Sequence, residues 1–512
     1  MRILALDHYF GPDIDALEHA ARGKYELKRV SYQYFRDRAV EHLPPAVFDS
    51  PNEYHKPIYE EARKKWANVA RRLLFELYLV YRFDIVISPS DTFFYIRDVI
   101  QAAKELGVPF VVVQKETTIS PDIMSFWPEE IGRIFPFISD YMTVCSQRHK
   151  EFWLRAGARS DSIEVTGQPR FDFYKHPEQW VKLDQLAVPL DTGKPTILFF
   201  SYDLKGAYLP HDQNARNGPP WSKLRQETED VLTEIAKKRG YNLLIKPHPQ
   251  QDVHDLARLR ARLRELSGEN WRKSVFLIEG EFDTRQLIVN ADIIVGFQTT
   301  ALLEALLAGK EVIYTFWTKE VHSLRDALIP YHRYSRILTC ARSPEDLVSQ
   351  ILTGTIRGAP TRRKGNLKPI GEHLGPVDGR ASERVLTIIN GILTRHQTNE
   401  EQTRMREYLN KMSPNYCSRE RRIARIIVVC LSILTFLAYP LKKPRKVIWS
   451  LALRARARVV ECKEPLGPKY SHAQALTGTT GQILLSQTKY LLRRASAIVA
   501  PSAARTYTAS LE

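Results

Sequence analysis

Two stretches decide the fold: YNLLIKPHP at residues 241–249 and ADIIVGFQTTALLEALLAGKEVIYTFW at residues 291–317. Each begins with a short apolar run and reaches Gly, Pro or Thr, the pattern of a buried strand followed by a turn. The segment 301–310 then predicts a helix that ends at a glycine, and a further apolar run follows it. Strand, helix and strand in this order predict parallel βαβ units.

The same alternation runs through most of the chain. It predicts strands at residues 2–6, 83–91, 108–116, 141–146, 162–172, 195–203 and 274–280, and helices at 13–22, 59–81, 92–107, 149–157, 226–240 and 381–393. The pattern restarts after residue 190, so we predict an α/β protein with two doubly wound, Rossmann-like domains that face each other across a cleft. We place them at residues 1–180 and 190–395, with an extension at 396–512.

The basic charge of the chain is concentrated in that extension. The whole sequence has 75 Lys and Arg against 58 Asp and Glu, a net charge of +17. Residues 396–512 hold 20 basic and 7 acidic residues, whereas residues 1–395 are nearly balanced at 55 against 51. A nucleic-acid-binding groove would concentrate the excess within the folded domains, so we expect no nucleic-acid partner.

A charge-free run, Ile426–Leu441, lies inside the extension between basic clusters. Its sixteen residues are fewer than the ~20 that cross a bilayer upright. Basic residues on both flanks favour the cytoplasmic leaflet, so we expect a helical extension that associates with anionic membrane through residues 421–460 and either dips into the bilayer or spans it.

The cysteines and the first residues indicate the compartment. The five cysteines are scattered without a CxxC pair, which predicts neither a disulfide framework nor a zinc site. The start, MRILALDHYF, has no long apolar core of the kind found in signal peptides. We therefore expect a protein at the cytoplasmic face of the membrane, peripheral or monotopic.

The segment LLIKPHP places charged groups where a buried strand ends. Lys246 and His248 follow the apolar residues, and a proline on each side of His248, the second being Pro249, restricts the loop. A rigid loop can aim an imidazole and an ammonium at an anionic oxygen. The alternative is a structural histidine that satisfies a local carbonyl.

The second stretch places hydroxyl groups at a predicted helix start. Gln298, Thr299 and Thr300 follow the strand, and a phosphate could accept their hydrogen bonds there. A threonine at this position is equally explained as a helix N-cap. Glu304 lies one turn into the helix, where it either pairs in the core or meets ligand hydroxyls.

The segment EVTGQPRFD, residues 164–172, is a third candidate. Arg170 could contact a phosphate if it faced the cleft, and the segment could equally be a hinge between the domains.

Together, VTGQPRFD, ILFFSYD, LLIKPHP, ADIIVGFQTTALLEALLAGKEVIYTFW and DGRASERVLTII resemble GT-B glycosyltransferases that build surface carbohydrate. Capsule polysaccharide transferases, CDP-glycerol glycerophosphotransferases and CMP-sugar-dependent sialyltransferases are the similar groups, and the likeness covers roughly residues 80–395. It implies that His248 and Pro249, with Thr299 and Thr300, bind the donor phosphate and that Glu304 meets the nucleoside. Ser is frequent in the family where this chain has the Thr pair.

The resemblance implies transfer of a sugar from a nucleotide donor, CMP- or CDP-linked, to a polysaccharide or lipid-linked acceptor. Cationic and hydroxyl groups would stabilise the leaving phosphate, so we expect neither a metal nor another cofactor. A general base is expected from the first domain. Glu116, Asp91 and His8 each follow a predicted strand and are the three candidates, in that order.

Two other functions fit the same fold. A nucleotide-sugar 2-epimerase would use the same cleft but has no need of a basic, apolar extension. A non-catalytic scaffold at the membrane could also keep a nucleotide-binding cleft, because a fold by itself does not establish an activity.

Overall fold

The structure is a computed structural model, and it describes residues 1–7, 10–115, 119–186, 188–201, 221–248, 251, 253–279, 282–356, 371–396 and 398–411. Two compact units are present. The first comprises Met1–Leu74 and Phe83–Thr398 and contains both sheets. The second comprises Phe75–Arg82 and the chain from Asn399 onward, in which residues 400–411 form a helix.

The first sheet has six parallel strands in the order β2-β1-β3-β4-β5-β6. These are β1 (Arg2–Asp7), β2 (Glu26–Ser31), β3 (Ile85–Ser88), β4 (Phe110–Val113), β5 (Tyr141–Val144) and β6 (Ile163–Val165). The helices of this half are α1 (Gly11–Ala21), α2 (Gln33–Val40), α3 (Pro45–Asp49), α4 (Glu60–Tyr81), α5 (Phe94–Glu105), α6 (Pro121–Ile134) and α7 (Gln147–Arg155).

The second sheet repeats the design in the order β12-β11-β10-β7-β8-β9, again all parallel. Its strands are β7 (Thr196–Phe200), β8 (Asn242–Lys246), β9 (Val275–Leu277), β10 (Ile293–Gly296), β11 (Glu311–Thr315) and β12 (Thr339–Ala341). The helices are α8 (Ser222–Arg239), α9 (Val253–Ser267), α10 (Thr284–Asn290), α11 (Ala301–Leu307), α12 (Lys319–Ser323), α13 (Pro344–Ile356), α14 (Gly371–Leu374) and α15 (Ala381–Arg395).

The two-Rossmann architecture expected from the sequence is therefore confirmed. Central strands such as β4 and β10 are buried along their whole length, which is why they are uniformly apolar in sequence. The strand expected at 162–172 is shorter, because it ends at Val165 and a 3₁₀ helix follows at Pro169–Lys175. The sequence also misses β2, because an edge strand with the sequence ELKRVS has no continuous apolar run.

The last helix of the unit packs against the first sheet rather than the second, where the sequence placed it. Val385 and Ile389 of α15 are fully buried in the core formed by β1, β3 and α1. Asp172 anchors the start of α15, because its carboxylate accepts hydrogen bonds from the backbone of Ala381 (2.9 Å) and Ser382 (2.7 Å). The chain thus returns to the first half before the unit ends.

A glycine permits the close packing next to this anchor. Gly167 has φ +81°, and a Cβ atom built on it would lie 2.6 Å from the carbonyl oxygen of Pro376. Any side chain would therefore push apart the segment after β6 and the chain leading to α15.

The membrane prediction falls outside the described part of the chain. Residues 421–460, including the run 426–441, are not among the described residues. Within those that are described, no helix combines the length and the hydropathy needed to cross a bilayer.

Candidate functional site

The register of the second sheet aligns the loops that carry the predicted donor-binding residues. Gly296 at the end of β10 lies beside Phe200, and Phe200 lies beside Lys246 at the end of β8. At a strand spacing of about 4.8 Å, the turn after β10 and the loop after β8 begin roughly 10 Å apart on the same carboxyl edge. Ligands of open α/β sheets bind at such edges.

The His248 loop is held by a side chain from the next turn. Gln251 Oε1 accepts a hydrogen bond from the His248 backbone N–H (2.7 Å), and its Nε2 donates to Asp255 Oδ2 (2.7 Å) and Ser201 Oγ (3.3 Å). Lys246 is half-buried, and desolvation lowers the pKa of its ammonium. Pro249 lies outside the described residues.

Behind this loop is a buried polar network. Arg225 forms two parallel hydrogen bonds to Asp255, of 2.7 and 2.9 Å, and its Nε lies 3.6 Å from Glu229 Oε1. Ser201 Oγ also donates to Glu229 (3.2 Å), and burial raises the pKa of Glu229 to about 7. The network fixes Asp255 and Ser201, which are the partners of Gln251, and thereby supports the loop from behind.

The residues after β10 have different roles from one another. Gln298 is buried, and its side-chain amide forms hydrogen bonds with the Tyr314 hydroxyl and with the backbone N–H and C=O of Ile329, so these contacts are structural. Thr299 Oγ1 accepts a bond from the Ala301 N–H (3.3 Å), so its hydroxyl serves the start of α11, although the N-cap position itself is Thr300. Thr300 makes no capping bond to α11 and is partly exposed.

Glu304 lies where the two halves of the unit meet. Tyr174 donates a 2.7 Å hydrogen bond to Glu304 Oε2, and Arg170 Nε lies 3.6 Å from Glu304 Oε1. Burial raises the pKa of Glu304, and the nearby Arg170 opposes that effect. The carboxyl is thus placed by two residues of the segment that follows β6.

Arg170 extends this contact to the first sheet. Its Nη1 donates to Asp13 Oδ2 (3.3 Å) and to the backbone oxygen of Lys115 (3.1 Å), and its backbone N–H donates to Asp13 Oδ1 (3.1 Å). Asp13, on α1, is fully buried. Arg170 therefore bridges groups of both halves of the protein, and its roles as a phosphate ligand or as part of a hinge stay predictions.

The three predicted bases follow adjacent strands. The strand order puts the carboxyl ends of β1, β3 and β4 side by side on one edge; Asp91 follows β3 there, whereas His8 and Glu116 lie outside the described residues. Asp91 is fully buried, and its Oδ2 accepts bonds from Ile138 N–H (3.1 Å) and from Ser139 N–H and Oγ (both 3.3 Å). Its Oδ1 has no hydrogen-bond partner within the described structure, and burial raises the pKa of this carboxyl.

A pocket of about 320 Å³ adjoins Asp91. Arg97 and Ile138 line this pocket, and both contact Asp91. Arg97 donates to the Asp91 carbonyl oxygen (3.2 Å), and the Ile138 N–H donates to the Asp91 carboxylate. Arg63 and Lys64 also line this pocket, against the single acid Asp98, so its charge suits an anionic ligand.

The sequence missed the residues that place the predicted groups: Asp13, Tyr174, Ser201, Arg225, Glu229, Gln251 and Asp255. The helix residues Arg225 and Glu229 did carry a signal, since they are charges one turn apart that face inward. Nothing in the sequence pairs Asp13 with Arg170, which are 157 residues apart.

Comparisons with known proteins yield solved structures only. No family model and no curated protein matches the chain. A UDP-GlcNAc 2-epimerase from Neisseria meningitidis bound to UDP-GlcNAc is 15% identical, with 76% of this chain and 100% of that one covered and a TM-score of 0.46. The UDP-GlcNAc 2-epimerase from Methanocaldococcus jannaschii is 16% identical, with 76% of this chain and 99% of that one covered and a TM-score of 0.46. The one from Rickettsia bellii is also 16% identical, with 77% of this chain and 96% of that one covered and a TM-score of 0.44.

These structures correct the main functional prediction. We expected a GT-B glycosyltransferase, whereas several solved structures similar to this chain are UDP-N-acetylglucosamine 2-epimerases. The glycosyltransferase, with its polysaccharide or lipid-linked acceptor, is therefore withdrawn. At these identities the likeness shows the fold alone: two Rossmann-like halves in the GT-B-like arrangement.

Proposed function

We propose that the protein is a nucleotide-sugar enzyme of the 2-epimerase type, which inverts a ring carbon of the sugar by proton transfer. The observation that carries this proposal is the bridge made by Arg170. It joins Glu304 of the second half to Asp13 and the Lys115 carbonyl of the first half. Loops from the carboxyl ends of both sheets therefore converge, as a ligand shared by both requires.

The second half supplies groups suited to a nucleoside diphosphate. Lys246 ends β8 and His248 follows it, Thr300 lies after β10, and the two loops begin roughly 10 Å apart. That separation suits a ligand with phosphates at one end and a nucleoside at the other. Glu304, one turn into α11, supports the proposal as a hydrogen-bond partner for ligand hydroxyls.

The first half supplies groups suited to proton transfer. Inversion at carbon requires a C–H bond to break on one face of the ring and to form on the other, with a side chain exchanging the proton. Asp91 suits this role because one carboxyl oxygen is fixed by Ile138 and Ser139, the other has no partner within the described structure, and burial raises its pKa. Glu116 follows the neighbouring strand β4 and is proposed as its counterpart.

The experiment is incubation of the full chain with UDP-GlcNAc, followed by NMR of the products. We expect the C2 epimer with the nucleotide still attached and, in D₂O, deuterium at the inverted carbon. Asp91→Asn should abolish the epimer while nucleotide binding remains, and the exposed control Asp37→Asn should retain activity. Nucleotide binding without any turnover would favour the non-catalytic scaffold and reject the proposal.

We also propose that the basic extension holds the protein at anionic membrane. The support is its composition: residues 396–512 hold 20 basic against 7 acidic residues around an apolar run. Attraction to anionic lipid is worth about 1 kcal/mol for each Lys or Arg near the surface.

A further inference from the structure

Two histidines and a glutamate converge on the surface, and none of them is among the proposed nucleotide-binding residues. His19 lies in the last turn of α1, His176 follows the 3₁₀ helix Pro169–Lys175, and Glu178 lies two residues further on. Their ligand atoms all lie within 4.8 Å of one another. We propose that these three side chains form a binding site for a divalent transition-metal ion, best suited to Zn²⁺.

The distances support a metal site. Glu178 Oε1 lies 3.1 Å from His176 Nδ1 and 3.8 Å from His19 Nε2. Zinc bonds of about 2.0–2.2 Å place the ligand atoms of a tetrahedron roughly 3.4 Å apart, a value between these two distances. The His19 side chain is 47% exposed, so it has the freedom to close the remaining gap.

His176 is oriented as metal-binding histidines are. Its Nε2 lies 3.3 Å from the carbonyl oxygen of Gly379. A proton on Nε2 that is donated to this carbonyl leaves the lone pair of Nδ1 directed at Glu178 and the proposed ion. Gly379 permits the approach, because it has φ +80° and a Cβ on it would lie 2.7 Å from Lys175 Cβ.

A crevice about the size of one water molecule adjoins the two histidines. Its volume is about 30 Å³, and it is lined by His19 and His176 together with Asp172 and Glu383. The Asp172 carboxylate binds the backbone of α15 and Glu383 pairs with Arg380, so the negative charge available to a cation comes from Glu178. Two histidines and one carboxylate leave a coordination position for water, as in open zinc sites.

The ion would tie α1 to the chain after β6, and the contact of His176 with the Gly379 carbonyl links both to the loop before α15. It would therefore stabilise the packing of α15 on the first half, because binding only to the folded state raises its stability. Neither the sugar nor the nucleotide is involved, so the inference does not depend on the proposed function.

Isothermal titration of the metal-free full chain with Zn²⁺ tests the site. We expect the parent to bind one zinc ion. In each of His19→Ala, His176→Ala and Glu178→Gln the affinity for zinc should fall by at least about 10–100-fold, which is the loss typical when an outer-shell partner is removed. The exposed histidine variant His254→Ala is the matched control and should bind as the parent does. Cysteines elsewhere in the chain contribute equally to all these proteins, so the difference isolates the site.

Co²⁺ provides a second readout that does not depend on the variants' stability. The parent should develop visible d–d absorption of a low-coordinate N/O site, and excess Zn²⁺ should displace it. Zn²⁺ should also raise the melting temperature of the parent but not of His19→Ala. No zinc binding by the parent, or equal affinity in the parent and the three variants, would overturn the proposal.

Discussion

Arg170 Nε lies 3.6 Å from Glu304 Oε1, and this ion pair joins the segment after β6 to α11 of the second half. The same guanidinium binds Asp13, whose side chain is fully buried. Three ionisable groups are thus placed in one region of low exposure, with a net charge of −1 when all are ionised. We therefore expect Arg170 to stabilise the folded protein whatever ligand binds nearby.

Replacing Arg170 with Met should strongly destabilise the protein. The substitution leaves Asp13 and Glu304 without their cation, and loss of one partner of a buried ion pair costs about 3–5 kcal/mol. Urea unfolding should show a midpoint shift of corresponding size. Arg159→Met is the control, since that arginine is exposed and pairs with the exposed Asp161, and its midpoint should hardly move. Equal midpoints for Arg170→Met and the parent would contradict the role of the bridge.

The contribution of Glu229 to the stability of the protein should fall between pH 5 and pH 8. Burial raises its pKa from 4.5 to about 7 in the folded state, so the unfolded chain loses this proton first. The stabilisation of the folded state by the neutral carboxyl is fully present below pH 4.5 and is lost as the pH rises through about 7.

Glu229→Gln removes that titration. Relative to the parent, its free energy of unfolding should rise across this pH range by up to about 3 kcal/mol. Glu234→Gln, at an exposed position, should track the parent at every pH. Parallel pH profiles for the parent and Glu229→Gln would show that Glu229 does not titrate in this range.

Nucleotide binding should depend on His248 and on the side chain that holds its loop. UDP at 100 times its dissociation constant should stabilise the parent by about 2.7 kcal/mol. His248→Ala should remove most of the resulting melting shift, and Gln251→Leu should reduce it, because the His248 N–H loses its partner. His254→Ala should leave the shift unchanged. A full shift in His248→Ala would exclude that histidine from the site.

The full chain should sediment with anionic vesicles and not with neutral ones. Basic residues concentrated in 396–512 are attracted to anionic headgroups, and salt screens that attraction. Binding to phosphatidylserine vesicles should therefore weaken between 0.05 and 0.5 M NaCl. If the fraction of protein that sediments with vesicles were the same for anionic and neutral lipid and at low and high salt, the extension would make no electrostatic contribution.

The sequence by itself determined the two-sheet architecture. Buried parallel strands such as β4 and β10 must be continuously apolar, and the helices between them end at Gly107, Gly240 and Gly309, each of which has a positive φ. Local patterns of this kind are visible without any partner. The sequence also indicated which strands end near His248, Thr300 and Asp91, because the carboxyl edge follows from the chain direction.

Only the tertiary structure decided which side chains meet. Asp13 with Arg170, Tyr174 with Glu304, and His19 with Glu178 are pairs separated by 130 residues or more. Their contact depends on how the two halves pack and on the return of α15 to the first sheet. The same packing directs Gln298 into the core, where its amide is satisfied by Ile329 and Tyr314. Long-range packing has no local sequence signal, so these roles emerged only from the folded chain.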